Sequence, residues 1–248
     1  MLEADSGNRQ AAEAALASNR RSVEMALRGI PPESFGRVFL PEFLSYYGYP
    51  TTGLGYGVYA IPFAGGDYET VRKEARASAR RLQQIKNATP QQELDKNRAL
   101  EVAYRTAAEA SYQLKDYAAA DTEIKRALEI RKVIPIRTLA EERDANNQLM
   151  LAAMIAARLE KYAEAQRIIG PVLEFHRKLN ARKDNEDLMQ RIQFAHALYV
   201  SALAAPGQKT AQLAQAAAII DALPPAMQRQ ISTTVVRERI ADELKKRR

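Results

Sequence analysis

The chain has no cysteine and no tryptophan, and two histidines in 248 residues. Without thiols there can be no disulfide framework, no cysteine nucleophile and no zinc cage of the Cys/His type. Long apolar runs are missing as well. Nothing approaches the roughly 20 residues that a membrane-spanning helix needs, so membrane insertion is not expected. The opening Met1-Leu2-Glu3-Ala4-Asp5 is acidic and polar where a signal peptide would be basic and then apolar. What is present is ordinary for a soluble globular protein: 46% hydrophobic and 27% charged residues, with 37 Lys+Arg against 30 Asp+Glu for a formal charge of +7. A chain of this length buries roughly 70% of its unfolded surface, so a core needs no covalent staples. The lack of cysteine favours an exported, periplasmic location in a bacterium over the cytoplasm, since unpaired thiols are liabilities there.

Composition shifts once along the chain. Ten of the 17 aromatic residues lie between Phe35 and Tyr68, together with Pro41, Pro50, Pro62 and seven glycines. After Asp67 the sequence is rich in Ala, Leu, Glu, Lys, Arg and Gln, and only Gly170 and Gly207 remain. Good helix formers without breakers predict helices. Three parts follow: an N-terminal helical segment with an irregular aromatic, Gly- and Pro-rich region over 1–66, helical repeats over 67–225, and a C-terminal helix over 226–248. The periodicity and punctuation predict helices near 8–28, 34–48, 54–64, 67–86, 90–114, 116–132, 138–159, 161–179, 186–204, 209–222 and 226–246. Thr89-Pro90-Gln91-Gln92 and Thr138-Leu139-Ala140-Glu141 carry the capping-box pattern that starts a helix. Strands have almost no support, because period-two alternation is absent.

Repetition is the most informative feature after 66. Gly66-Asp67-Tyr68, Lys115-Asp116-Tyr117 and Glu160-Lys161-Tyr162 each fall between two helical stretches, with tyrosines 49 and 45 residues apart. A fainter fourth unit centres on Thr210, 48 residues further on. Nine residues before the later anchors stand the small Ala108, Ala153 and Ser201; three after each stand Val71, Ala120, Ala165 and Leu213. Small residues at fixed offsets let the two helices of a hairpin approach closely. Stacked hairpins then bury what one hairpin cannot.

On these residues, and above all on 107–130 and on Leu159-Glu160-Lys161-Tyr162-Ala163-Glu164-Ala165, the chain resembles the tetratricopeptide repeat superfamily, in a divergent form with long helices. The resemblance implies an all-α fold, a right-handed superhelix of stacked antiparallel helical hairpins with a concave groove lined by the first helix of each hairpin. Counting back from the anchors, the groove would be lined by Tyr56, Phe63, Arg105, Tyr112, Asn147, Met150, Met154 and Leu198 among others. Methionines and aromatics suit an apolar or amphipathic peptide or helix, because a thioether adapts to irregular partners. The last helix places Ile231, Val235, Ile240 and Leu244 on one face and is expected to cap the final hairpin.

Catalytic patterns are lacking. His176 and His196 have no metal-ligand spacing and read as one surface and one packed histidine. Gly53-Leu54-Gly55-Tyr56-Gly57 has no strand before it and no Lys-Ser/Thr after it, so it does not read as a phosphate loop. No enzymatic activity, metal or cofactor is expected. The function expected is protein–protein interaction, as a scaffold or recognition domain that binds another protein or peptide. Two alternatives stay open. One is binding of a polyanion, nucleic acid or acidic partner through the basic face Arg72, Arg76 and Arg80, although no nucleic-acid recognition motif accompanies it. The other is a small-ligand site in the aromatic segment 35–66.

Overall fold

The computed structural model describes residues 66–85, 89–181, 187–229 and 231–245, with Met25 and Arg28. The expected helices before residue 66 lie outside these residues. Among the described residues all regular structure is helical: α1 (Tyr68–Gln83), α2 (Pro90–Gln113), α3 (Tyr117–Arg131), α4 (Leu139–Arg158), α5 (Tyr162–Asn180), α6 (Leu188–Ala204), a 3-10 turn (Pro206–Gln208), α7 (Lys209–Asp221), α8 (Pro225–Gln228) and α9 (Ile231–Lys245). The chain divides into two compact units at Ala145/Asn146, within α4.

The expected caps do start the helices. Thr89 accepts from the Gln92 N–H while the Gln92 side chain accepts from the Thr89 N–H, with Pro90 at the first helical position. Thr138 and Glu141 exchange the same pair of bonds at α4. Asp67, Asp116 and Asp187 cap α1, α3 and α6 with their carboxylates. In the middle of α5, Pro171 follows Gly170; a residue before proline is pushed out of the helical region by its own Cβ, and glycine has none.

The turns at the repeat anchors share one backbone conformation. Lys115 and Glu160 have φ of 62° and 60°, and the residues after them, Asp116 and Lys161, have φ/ψ of −85/70 and −80/58. Gly66 and Asp67 repeat it with φ 76° and φ/ψ −82/64. The hydrogen bonds also match. Asp116 N–H reaches Ser111 O at 2.9 Å and Lys115 N–H reaches Tyr112 O at 3.0 Å; Lys161 N–H reaches Ala156 O at 2.9 Å and Glu160 N–H reaches Ala157 O at 3.1 Å. This is the Schellman ending of a helix, in which a left-handed residue lets the chain satisfy the last carbonyls and turn back. The connection at the fourth anchor is built differently, from Ala205 and the 3-10 turn Pro206–Gln208.

In the first unit, α1 packs on α2 and α2 on α3. Val71 and Ala75 meet Ala107 and Ala110, and Tyr68 packs against that cluster. In the second unit, α5 packs on α6, α6 on α7, and α9 on both α6 and α7. All the small residues at the fixed offsets, Ala108, Ala153, Ser201, Val71, Ala120, Ala165 and Leu213, are buried. The first helices of the hairpins bury long unbroken stretches, every residue from Ala99 to Tyr112 in α2 and from Met150 to Ala157 in α4. The second helices bury a single stripe, such as Ala120, Glu123, Ile124 and Ala127 of α3 or Leu213, Ala216 and Ile220 of α7. A helix buried on all sides is a central element, and one with a stripe is peripheral.

The C-terminal helix departs from expectation in two ways. The stretch 226–246 is split, with α8 ending before α9 begins at Ile231. The buried face of α9 is Thr233, Val236, Ile240 and Glu243, while Leu244 is exposed. Ile240 is common to both faces, while Val236 and Glu243 take the inward places expected of Val235 and Leu244; choosing the face by aliphatic residues alone missed a buried glutamate and a buried threonine.

Candidate interaction surface

The groove positions come first. Tyr56 and Phe63 lie outside the described residues. Arg105 and Tyr112 of α2 are buried, as are Met150 and Met154 of α4 and Leu198 of α6; Asn147 is half-buried. Three have partners within the chain. The Arg105 guanidinium donates to Asp144 at 2.6 Å and stands 3.6 Å from Glu101. Tyr112 packs its ring 5.5 Å from that of Tyr117. Arg239 of α9 directs a guanidinium nitrogen at the Met154 sulfur, 3.9 Å away. Of the described positions expected to line an open groove, all but Asn147 are buried, in keeping with the all-round burial of α2 and α4.

The basic face of α1 is largely spent. Arg72 pairs with Glu69 at 2.7 Å and with Asp116 at 3.0 Å. Arg76 pairs with buried Glu123, which also accepts from the Ser111 hydroxyl at 2.7 Å. Arg80 is exposed. A stripe with two of three charges neutralised inside the fold presents a weak field to a polyanion.

Titratable groups are enclosed in both units. Glu101 is buried beneath Arg105, Asp144 and Arg131, and burial raises its carboxyl to about 7 against the pull of Arg105. His196 is half-buried and His176 wholly buried, which corrects the surface reading of His176. Its ring nitrogen Nδ1 lies 3.1 Å from the Gln190 side-chain amide. His196 stacks on Tyr199, and burial, with Arg239 and His176 adding to it, pushes its pKa down to about 3. Among the described residues no three metal-ligating side chains converge, and no helix is long and apolar enough to cross a membrane.

Two features were not read from the sequence. One is Glu243, buried on α9, whose carboxylate takes Arg158 at 2.7 Å and Lys209 at 2.5 Å. The other is the connection between α3 and α4, where Val133, Ile136 and Leu139 are 64%, 53% and 41% exposed. Its backbone is firmly held. Ile134 is buried beneath it, and the Glu141 carboxylate accepts from the N–H groups of Arg137 at 2.7 Å and Thr138 at 3.0 Å. Those bonds, the Arg137 N–H foremost, hold the Glu141 carboxyl below the usual carboxylate range. Arg131 donates to the Glu141 carbonyl at 2.9 Å. The sequence signal was available in Val133-Ile134-Pro135-Ile136, an aliphatic run where a polar turn is usual.

No protein-family profile, curated protein or solved structure matches this chain.

Proposed function

We infer that the chain is a divergent, long-helix member of the tetratricopeptide repeat class and serves as a protein–protein interaction scaffold that binds an apolar or amphipathic segment of another protein. The observation that carries this reading is the recurrence of one Schellman turn, at Lys115 and at Glu160, at the sequence offsets where small residues are buried. Repetition of a hairpin is what a binding scaffold requires, since stacked units extend one surface along the chain.

With the groove positions enclosed, the contact surface is the α3–α4 connection. Val133, Ile136 and Leu139 expose aliphatic surface on a backbone tied down by Ile134 and Glu141. Three exposed aliphatic side chains within seven residues suit an interaction site, and a fixed backbone loses little freedom on binding. Arg137 is exposed beside it, and Lys132 is paired with Glu129 at 2.7 Å, so the contact is mainly apolar.

The test is affinity capture from the native extract with the intact chain and with the Val133→Asp/Ile136→Asp double variant. The reading expects a discrete partner that the variant fails to retain although it melts within a few degrees of the parent. Equal capture by both chains would remove the connection from the interface.

A further inference from the structure

One position changes sign along the repeat. The residue before each anchor is Asp67, Asp116, Lys161 and Lys209 in turn. Asp67 and Asp116 accept backbone N–H groups from Thr70 and Ala119, at 3.1 and 3.2 Å. A lysine offers no acceptor and sets a positive charge at the positive end of a helix. Lys161 makes no side-chain cap bond to α5. In the second unit both positions are cationic.

Both turns border one cleft of about 210 Å3, lined by Ala157, Arg158, Tyr162, Leu203, Pro206 and Lys209. Glu243 is almost wholly buried and takes one cation on each oxygen, which sets Arg158 and Lys209 beside each other. Those two side chains keep 25% and 18% of their surface, and no acidic side chain lines the cleft. Glu160 and Glu164 flank the same turn without being part of the lining. Within the lining itself two cations, Arg158 and Lys209, stand over the single carboxylate of Glu243, while at the turn Lys161 is offset by Glu160.

We propose that this cleft is a binding site for an oxyanion, a carboxylate or a phosphate group. A guanidinium fork and an ammonium with three donors match such a group, and Tyr162 brings a half-exposed phenol to the rim. The volume equals about seven waters at ~30 Å3 each, enough for one acid group and too small for a nucleotide. Because Glu243 fixes the cations beforehand, the anion meets a preorganised pair. The site does not depend on the scaffold reading.

The experiment compares the intact chain in sodium chloride, sodium phosphate and sodium acetate at constant ionic strength, by thermal melting and by amide chemical shifts. A saturable rise in Tm, half-complete in the millimolar range, is expected for phosphate or acetate over chloride, with shift changes confined to 157–163 and 203–210. The larger response names the group as phosphate or carboxylate. Lys161→Asp restores the cap seen at Asp116, so it should raise Tm in chloride while cutting the anion response several-fold. Lys209→Gln should abolish that response. The proposal is overturned by a response no larger than that to chloride. It is equally overturned by a rise that is linear in concentration and unchanged in both variants, which is general salt exclusion.

Discussion

Lys115 and Glu160 hold the left-handed conformation that costs an L-residue roughly 1 to 2 kcal/mol and glycine nothing. Gly66 occupies the equivalent place in the first turn. Lys115→Gly and Glu160→Gly should each stabilise the chain by roughly 0.5 to 1 kcal/mol, after the entropy that glycine loses on folding, read from the urea midpoint. Glu101 and His196 predict opposite pH responses in the two units. Glu101, at about 7 when folded and 4.5 when unfolded, binds its proton more tightly in the fold, so its contribution is whole below 4.5 and declines as pH rises to 7. His196, at about 3 folded and 6.5 unfolded, is protonated only by unfolding across that window, so stability falls as pH drops below 6.5. Each slope is at most about 1.4 kcal/mol per pH unit. Hydrogen exchange followed against pH should show it in each unit, and Glu101→Gln and His196→Gln should each flatten their own limb.

Where two helices of a hairpin touch, side-chain size decides. Ala120 and Ala165 are wholly buried, so Ala120→Trp or Ala165→Trp should cost roughly 1 to 3 kcal/mol or more through overpacking, while the exposed Ala118 tolerates change. Met154→Asp belongs with these, since an unpaired charge would be placed at an enclosed site; it should lower Tm by many degrees. At the end of the array, α9 buries Val236 and Ile240, worth about 1.5 to 3 kcal/mol each before entropy, and covers α6 and α7. Deleting 226–248 should therefore produce aggregation or a markedly lower Tm by scanning calorimetry. Helix positions were legible because caps and spacing are local: Thr89, Thr138 and the three Tyr anchors mark ends within a residue or two. The buried face of α9 was not, because Glu243 is inside only by virtue of Arg158 and Lys209, which lie 85 and 34 residues earlier in the sequence. Nor was the enclosure of Met150 and Leu198, since apolar spacing says that a face is covered and does not say by what.

For the molecule as a whole, the formal +7 is not a uniform field. Arg72, Arg76, Arg105 and Arg158 are all engaged in ion pairs, which is why the sequence's basic stripe does not translate into an open cationic face. Among the described residues of the first unit, the large aliphatic side chains held open, Val133, Ile136 and Leu139, fall instead at the α3–α4 connection. We propose that partner contact is made there and not along the first helices of the hairpins. Photo-crosslinking tests it most directly: a photoreactive side chain is placed at position 136, 150 or 198 of the intact chain, which is then exposed to the native extract and read by mass spectrometry. The account predicts crosslinks to a discrete partner segment from position 136 and internal crosslinks alone from 150 and 198. Partner crosslinks from 150 or 198, with none from 136, would contradict it.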